Sequence, residues 1–326
     1  MNAYNMGPSP HIRTSETVDK VMLDVIIALV PALLMAVYVF KIKALIVTAV
    51  SVIFCMLTEF VFNRIRKKEC TLHDKSAIVT GLLFAFVIPV DMPLPFVAIG
   101  AVVSIALGKM LFGGLGCNIF NPALVGRAFI QASWPVAITS FSLDGVAGPT
   151  MLDAMKRGLI MNDAVAGASV NTANVLIGEG NMYVQALIGK MGGCLGETSA
   201  IAILLGGAYL IYKKQIDWKV PVVIVGTVAV FTTLLGAKDP VMQIISGGLL
   251  LGAFFMATDM VTSPVSTKGK LIYAFGIGFL ISMIRMKGGY PEGTAYSILI
   301  MNGVVPLINR YTMPKKFGEV KADGKK

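Results

Sequence analysis

The chain has 326 residues, of which 56% are hydrophobic and only 14% are charged, and its mean hydropathy is +0.76. Because soluble globular domains carry about a quarter charged residues, this composition excludes an ordinary soluble protein and indicates one that lies in a bilayer. The net charge of +10 would favour nucleic-acid binding in a soluble chain. Here the basic residues lie in short clusters between apolar runs, as in cytoplasmic loops of membrane proteins, so no nucleic-acid partner is expected.

Ten apolar segments follow one another along the chain. They cover residues 21–40, 44–63, 77–91, 94–112, 119–138, 199–212, 219–236, 241–258, 271–286 and 292–308. Several are shorter than the ~20 residues that cross a bilayer, and short or broken spans such as 77–91 and 241–258 are tolerated only where they face protein or a cavity. The sequence predicts an all-α polytopic membrane protein, with residues 1–326 forming a single integral membrane domain.

Lysine and arginine are concentrated in alternate connecting segments, for example 64–75 and the C-terminal end. The positive-inside rule therefore predicts a cytoplasmic N-terminal segment, 1–20, and a cytoplasmic C-terminal tail, 309–326. It also puts the long polar segment 139–198 outside. A further span at 183–195 would reverse the orientation of everything after it, so we interpret that stretch as re-entrant or interfacial.

A weak internal repeat relates the two halves of the chain. Gly81-Leu82-Leu83 precedes a segment with Asp91, and Gly248-Leu249-Leu250 precedes a segment with Asp259. Copies five spans apart have opposite orientation, so the pattern predicts two inverted five-helix repeats, which usually hold a binding site between them. The alternative is a chance recurrence of Gly-Leu-Leu in an apolar chain.

The glycine-rich segment 113–129 contains the polar residues Asn118, Asn121 and Arg127. Glycines allow a ligand to approach the backbone closely, and an arginine within a span suggests a functional site. The other interpretation is a loop and helix cap, with Arg127 paired to a carboxylate for structure. Buried carboxylates at Asp91 and Asp259 could carry a cation or bind a ligand, or could simply end their spans at the membrane interface.

Other acidic residues are expected to be structural. Glu197 precedes a predicted span, where an acid suits the helix dipole, and Asp24 and Glu59 are expected at the interface. The two histidines lie outside the apolar segments, and no nucleophile–base pair, metal cluster or phosphate loop is apparent. The sequence therefore predicts neither catalytic side chains nor a metal, although a cofactor could supply redox chemistry.

These motifs together resemble one family. The chain is similar to the family that contains the D subunit of the Rnf complex, an ion-translocating ferredoxin:NAD oxidoreductase, and the B subunit of the sodium-pumping NADH:quinone oxidoreductase. The similar segments are 7–12, 113–129, 196–200, 257–264 and 288–293. The quinone reductase member typically has a longer N-terminal region, so the start of this chain favours the Rnf branch.

The resemblance implies a flavin mononucleotide (FMN) esterified through its phosphate to a hydroxyl of the outer loop. The family pattern Asp-x-x-Ser-Gly-Ala-Thr corresponds here to Asp163, then Ala166, Gly167, Ala168 and Ser169. Alanine replaces the serine and serine replaces the threonine. The expectation is therefore an ester at Ser169 or FMN held without a covalent bond.

Thr172 is the second candidate acceptor in this loop. By residue chemistry alone, the loop would be a turn of small residues whose hydroxyls cap a helix.

The resemblance also implies a second, noncovalent flavin, riboflavin. Asn118 and Asn121 are then expected to contact its ring, and Arg127 to order the site or bind phosphate. Asp259, Thr262 and Ser263 are expected to complete the site from the second repeat.

The family role implies a place in a larger assembly. The expected partners are the A, B, C, E and G subunits of the Rnf complex, in the cell membrane of a prokaryote. Electrons would pass from the external flavoprotein, the G subunit, to FMN and then to riboflavin, coupled to export of Na+ or H+. The alternatives are a secondary transporter or small-solute channel, and a structural scaffold with a degenerate flavin site.

Overall fold

A computed structural model describes residues 17–68, 71–139, 141–143, 146–148, 150–156, 182–189, 193–197, 199–237, 239–289 and 292–313. The first-half helices are α1 (Val18–Phe40), α2 (Ile42–Ile65), α3 (Ser76–Phe86), α4 (Leu94–Ile105, continued by a π-helix at Ala106–Met110), α5 (Pro122–Ser133) and α6 (Pro135–Thr139). Two short helices follow, α7 (Met151–Lys156) and α8 (Met182–Ile188). The second-half helices are α9 (Ala200–Tyr212), α10 (Lys219–Leu234), α11 (Pro240–Ile245), α12 (Leu249–Leu251, continued by a π-helix at Gly252–Met256), α13 (Thr267–Lys287) and α14 (Thr294–Thr312). Single 3-10 turns lie at Leu72–Asp74 and Leu195–Glu197.

Every one of the ten predicted segments contains a helix, so the predicted helical character is confirmed. Among the described residues, α1, α2 and α13 are long and apolar enough to cross a bilayer unaided. The all-α fold class is confirmed, and the described residues add one short antiparallel hairpin of β1 (Phe141–Leu143) and β2 (Val146–Gly148). Asp144-Gly145 between the strands is a strong sequence signal for a hairpin turn.

The first five helices pack closely because small residues lie where they cross. The Ser51 hydroxyl on α2 donates to the carbonyl of Gly81 on α3 at 2.6 Å, and a Cβ at Gly81 would lie 2.7 Å from the Val52 Cα. On α5, a Cβ at Gly126 would lie 1.8 Å from the Ser104 Oγ of α4. Small residues at such crossings let helix backbones approach closely in membranes.

The two halves are joined by direct helix contacts. Helix α1 packs against α9, and α5 packs against α14, while α10, α13 and α14 form the centre of the second half.

Two predicted spans are interrupted, as their composition indicated. Helix α3 ends at Phe86, and the segment 241–258 breaks between α11 and α12, where Gly247 and Gly248 have φ of 72° and 64°. Glycine adopts this left-handed conformation without steric cost.

Candidate functional site

A cavity of about 110 Å³, partly open to solvent, lies between the two halves of the chain. One wall is formed by the first turns of α1, by α3 and by the residues that precede and begin α5. The facing wall is formed by the end of α9 and by residues 254–261, which include the end of the π-helix after α12. The polar lining residues are Ser76, Thr80, Lys109, Asn118, Asn121, Gln215, Thr258 and Asp259.

Asn121 forms the N-cap of α5. Its Oδ1 accepts hydrogen bonds from the backbone N–H groups of Ala123 (3.1 Å) and Leu124 (3.4 Å), as a capping asparagine should, and its Nδ2 donates to the Met256 carbonyl at 3.4 Å. The side chain therefore links the start of α5 to the π-helix of the second half. The structure thus places Asn121 in the cavity wall with its amide already engaged.

Asn118 lies in the same wall but has an unused acceptor. Its Nδ2 donates to the Phe120 carbonyl at 3.3 Å, and its Oδ1 is buried with no hydrogen-bond partner among the described residues. Buried polar atoms are nearly always paired. The Asn118 Oδ1 is therefore a candidate acceptor for the N–H group of a ligand.

Asp259 faces this wall from the second half, just after the π-helix. Its carboxylate accepts from the Val261 N–H (3.4 Å) and from the Thr262 hydroxyl (3.0 Å), and burial raises its pKa above the usual value. Thr262 supports Asp259 without lining the cavity, whereas Ser263 lines an adjoining pocket. Asn118, Asn121 and Asp259 therefore line the same cavity.

Asp91, which the sequence pattern paired with Asp259, has a different environment. It forms a 2.7 Å ion pair with Lys43, whose side chain is 63% exposed. This surface position agrees with the interpretation of Asp91 as the end of a span.

Arg127 does not line the cavity. Its guanidinium forms an ion pair with Glu292 and donates to the Val87 carbonyl and to the Cys194 Sγ (3.5 Å). This arrangement matches the structural alternative, in which Arg127 is paired with a carboxylate.

A second polar cluster surrounds Arg127 near the break between α11 and α12. The guanidinium of Arg285 donates to the carbonyls of Gln243, Ser246 and Gly247. It therefore supplies hydrogen-bond donors to backbone carbonyls at the point where the helix is broken. Glu197 lies beside the same break. Burial and the charge of Glu292 raise the pKa of Glu197 to about 8, and Arg127 and Arg285 oppose this shift.

Sequence reasoning missed the lysine of the cavity wall and its ion-pair partner. Lys109 lines the cavity and forms a buried ion pair with Glu59, which is fully buried between helices. Lys109 compensates the charge of Glu59 inside the helix bundle. A lysine inside a predicted span was the available signal.

The predicted outer-loop residues lie outside the described part of the chain. These are Asp163, Gly167, Ala168, Ser169 and Thr172.

Comparison with known proteins gives a consistent result. A family model described as the NQR2, RnfD, RnfE family matches residues 5–318. The chain is 45% identical to the D subunit of the proton-translocating ferredoxin:NAD(+) oxidoreductase complex of Clostridium ljungdahlii, over 97% of each chain. It is 44% identical to the D subunit of the Na(+)-translocating ferredoxin:NAD(+) oxidoreductase complex of Acetobacterium woodii, over 98% of each. It is also 35% identical to the D subunit of an ion-translocating oxidoreductase complex from Stutzerimonas stutzeri, over 94% of this chain and 93% of the other.

Proposed function

The chain belongs to the NQR2, RnfD, RnfE family, and from this premise we propose that it is the D subunit of an ion-translocating ferredoxin:NAD+ oxidoreductase complex. The similarity to relatives of that name covers almost the whole of both chains. In this role, the protein is a multi-pass membrane component of a multi-subunit redox translocase. Its task is electron transport coupled to ion transport, in an enzyme whose reaction is shared among several chains.

The cavity is proposed to hold a noncovalent flavin, riboflavin. The unpaired Oδ1 of Asn118 carries this proposal, because it offers a buried acceptor to an N–H group of a flavin ring. Asp259 offers a second acceptor on the facing wall, and apolar side chains such as Leu83 and Phe254 line the space between. When bound, the flavin supplies the electron-accepting and electron-donating chemistry that the side chains lack.

The chain's own residues would then bind the flavin, orient its ring and shield it from water. Asn118 and Asp259 accept hydrogen bonds and fix the direction of the ring. Asn121 ties the two walls together through its bonds to α5 and to Met256. Apolar side chains of the lining would shield part of the ring from water, which strengthens electrostatic contacts there.

A second flavin, FMN, is proposed for the outer segment 139–198. The support is the resemblance of residues 163–169 to the family's attachment pattern, with Ser169 as the acceptor. Electrons would arrive there from the external flavoprotein, the G subunit, and continue to the cavity. The A, B, C and E subunits would complete the complex in a prokaryotic cell membrane.

The proposed membrane arrangement has ten crossings in two inverted repeats, with both termini in the cytoplasm. In support, ten segments are helical, and an interrupted helix occurs in each half. The helix ends that line the cavity are those assigned to the cytoplasmic side by the distribution of lysine and arginine. The coupling ion is Na+ or H+, since the names of the two relatives divide between these ions.

Intact mass and in-gel fluorescence of this chain test the proposal. In the purified complex, the denatured chain is expected to fluoresce under ultraviolet light and to carry the added mass of FMN. Ser169→Ala should remove both signals, and the matched variant Thr172→Ala should keep them. Riboflavin should appear in the supernatant. FMN in the supernatant alone would keep the redox role without the bond, and absence of flavin from both fractions would contradict the proposal.

A further inference from the structure

A lysine and a glutamate form an ion pair inside the helix bundle, next to the cavity. Lys109 is 2% exposed and Glu59 is fully buried. The Lys109 Nζ lies 2.9 and 2.8 Å from the two carboxylate oxygens of Glu59 and also donates to the Ser76 hydroxyl. All three N–H donors of the ammonium group are therefore used.

The glutamate is also held from its other side. The Thr71 hydroxyl donates to Glu59 at 2.6 Å, and the Asn63 amide donates to Thr71 at 2.9 Å. This network fixes the orientation of the pair. A buried ion pair is a poor means of stabilising a fold, because desolvation offsets its attraction. Stability alone therefore does not account for the pair.

Local backbone geometry brings Lys109 to the cavity. The residue lies in the π-helix that ends α4, a feature that occurs frequently at functional sites. A Cβ at the preceding Gly108 would lie 2.7 Å from the Pro122 Cα. Only glycine allows the π-helix to touch the start of α5, where Asn118 and Asn121 form the wall.

The ion pair presents only one of its charges to the cavity. Lys109 and Ser76 belong to the lining, whereas Glu59 does not. The only other ionisable lining residue among those described is Asp259, on the opposite wall. A bound molecule thus has the Lys109 side chain, whose ammonium group is paired with Glu59, on one side and the Asp259 carboxyl group, hydrogen-bonded to Thr262, on the other.

We infer that Lys109, fixed by Glu59, raises the reduction potential of the flavin bound in this cavity. This inference rests on the proposed function and adds to it a residue that sets the energy of electron transfer. When the ring accepts one electron from a reduced donor, its charge falls by one unit. Lys109 keeps its proton and forms no bond, but its positive charge stabilises the more negative state, strongly so at low dielectric.

The test is a spectroelectrochemical titration of the noncovalent flavin in the purified complex. Lys109→Met removes the charge, and we expect the ratio of reduced to oxidised flavin at a fixed potential to fall about tenfold, which is about 59 mV for a one-electron couple. Lys43→Met is the matched control. It removes a lysine from an ion pair at the exposed surface, with Asp91, and should leave the potential unchanged.

A second variant covers the case in which an unpaired Glu59 disturbs folding. Glu59→Gln with Lys109→Gln replaces the ion pair by a neutral hydrogen-bonding pair, and its flavin potential should fall in the same direction. Flavin retained at the wild-type potential in both variants would overturn the role of Lys109 and leave the proposed function intact. A wild-type complex whose extract contains no noncovalent flavin would overturn the proposed function itself.

Discussion

Asn118 and Asn121 lie in one loop, yet their hydrogen bonds give them different tasks. Asn121 uses its side chain for the α5 cap and for Met256, whereas Asn118 keeps a buried acceptor without a partner among the described residues. From the sequence, both asparagines are expected in the site on equal terms. Only their contacts in the folded chain separate a residue that builds the wall from one that can bind a ligand.

Replacing the two asparagines by alanine should therefore have different effects. Asn118→Ala removes the acceptor for a ligand N–H and should weaken retention of the noncovalent flavin about fivefold, since a hydrogen bond contributes about 1 kcal/mol. Asn121→Ala should mainly lower the thermal midpoint, because a lost cap costs about 0.5–2 kcal/mol. Flavin content after dialysis and the melting temperature measure the two effects. Equal flavin retention in wild type and Asn118→Ala would contradict the assignment.

Glu197 should make stability depend on pH. Its folded-state pKa of about 8 is above the usual value of 4.5, so the folded protein favours the protonated form. The stabilising contribution is complete below about pH 4.5 and is lost as the pH rises through 8. Glu197→Gln imitates the protonated form, so its melting temperature should exceed that of wild type at pH 9 but not at pH 5.

The size of this effect should be a few degrees, since about 1 kcal/mol shifts the melting temperature of a mid-sized domain by roughly 2–4 °C. The comparison needs the same detergent at both pH values. A difference between variant and wild type that stays constant from pH 5 to pH 9 would show that Glu197 does not titrate in this range.

At the scale of secondary-structure elements, helix crossings depend on single glycines. A Cβ at Gly126 would overlap the Ser104 Oγ at 1.8 Å and lie 2.7 Å from the Gly100 carbonyl. Gly126→Ala should force α4 and α5 apart and cost about 1–3 kcal/mol, as overpacking does. Melting of the purified complex would report the loss.

Gly226→Ala on α10 is the matched control, because no atom lies within 4 Å of its Cβ position. Alanine is the better helix former by about 1 kcal/mol, so this variant should be neutral or more stable. Adding Ser104→Ala to Gly126→Ala should recover part of the loss. Identical melting of both alanine variants would rule out the close α4–α5 crossing.

Helices were the most predictable elements, and for a physical reason. An apolar segment long enough to cross a bilayer forms a helix, because every backbone N–H and C=O group in the membrane must be hydrogen-bonded within the protein. The Glu59–Lys109 pair was not predictable, because the two residues are far apart in sequence and meet only once α2 and α4 are packed. The same holds for Arg127 with Glu292, since spacing cannot identify the partner.

At the scale of the whole molecule, the proposed orientation can be tested by labelling. Lys43 and Lys268 are both exposed, and the positive-inside rule puts them on opposite faces. Cysteine at position 43 should react with a membrane-impermeant maleimide in intact cells. Cysteine at position 268 should react only after permeabilisation, with the exposed Cys117 replaced by serine beforehand. Labelling of position 268 in intact cells would reverse the orientation.

The cavity takes its walls from both ends of the chain. Residues 21–25 supply one side and residues 254–261 supply the other. A ribosome must therefore synthesise about four-fifths of the protein, and the membrane must receive the late helices, before the pocket exists. A cofactor that binds in this pocket can therefore enter only at a late step of biogenesis, after both walls have been made.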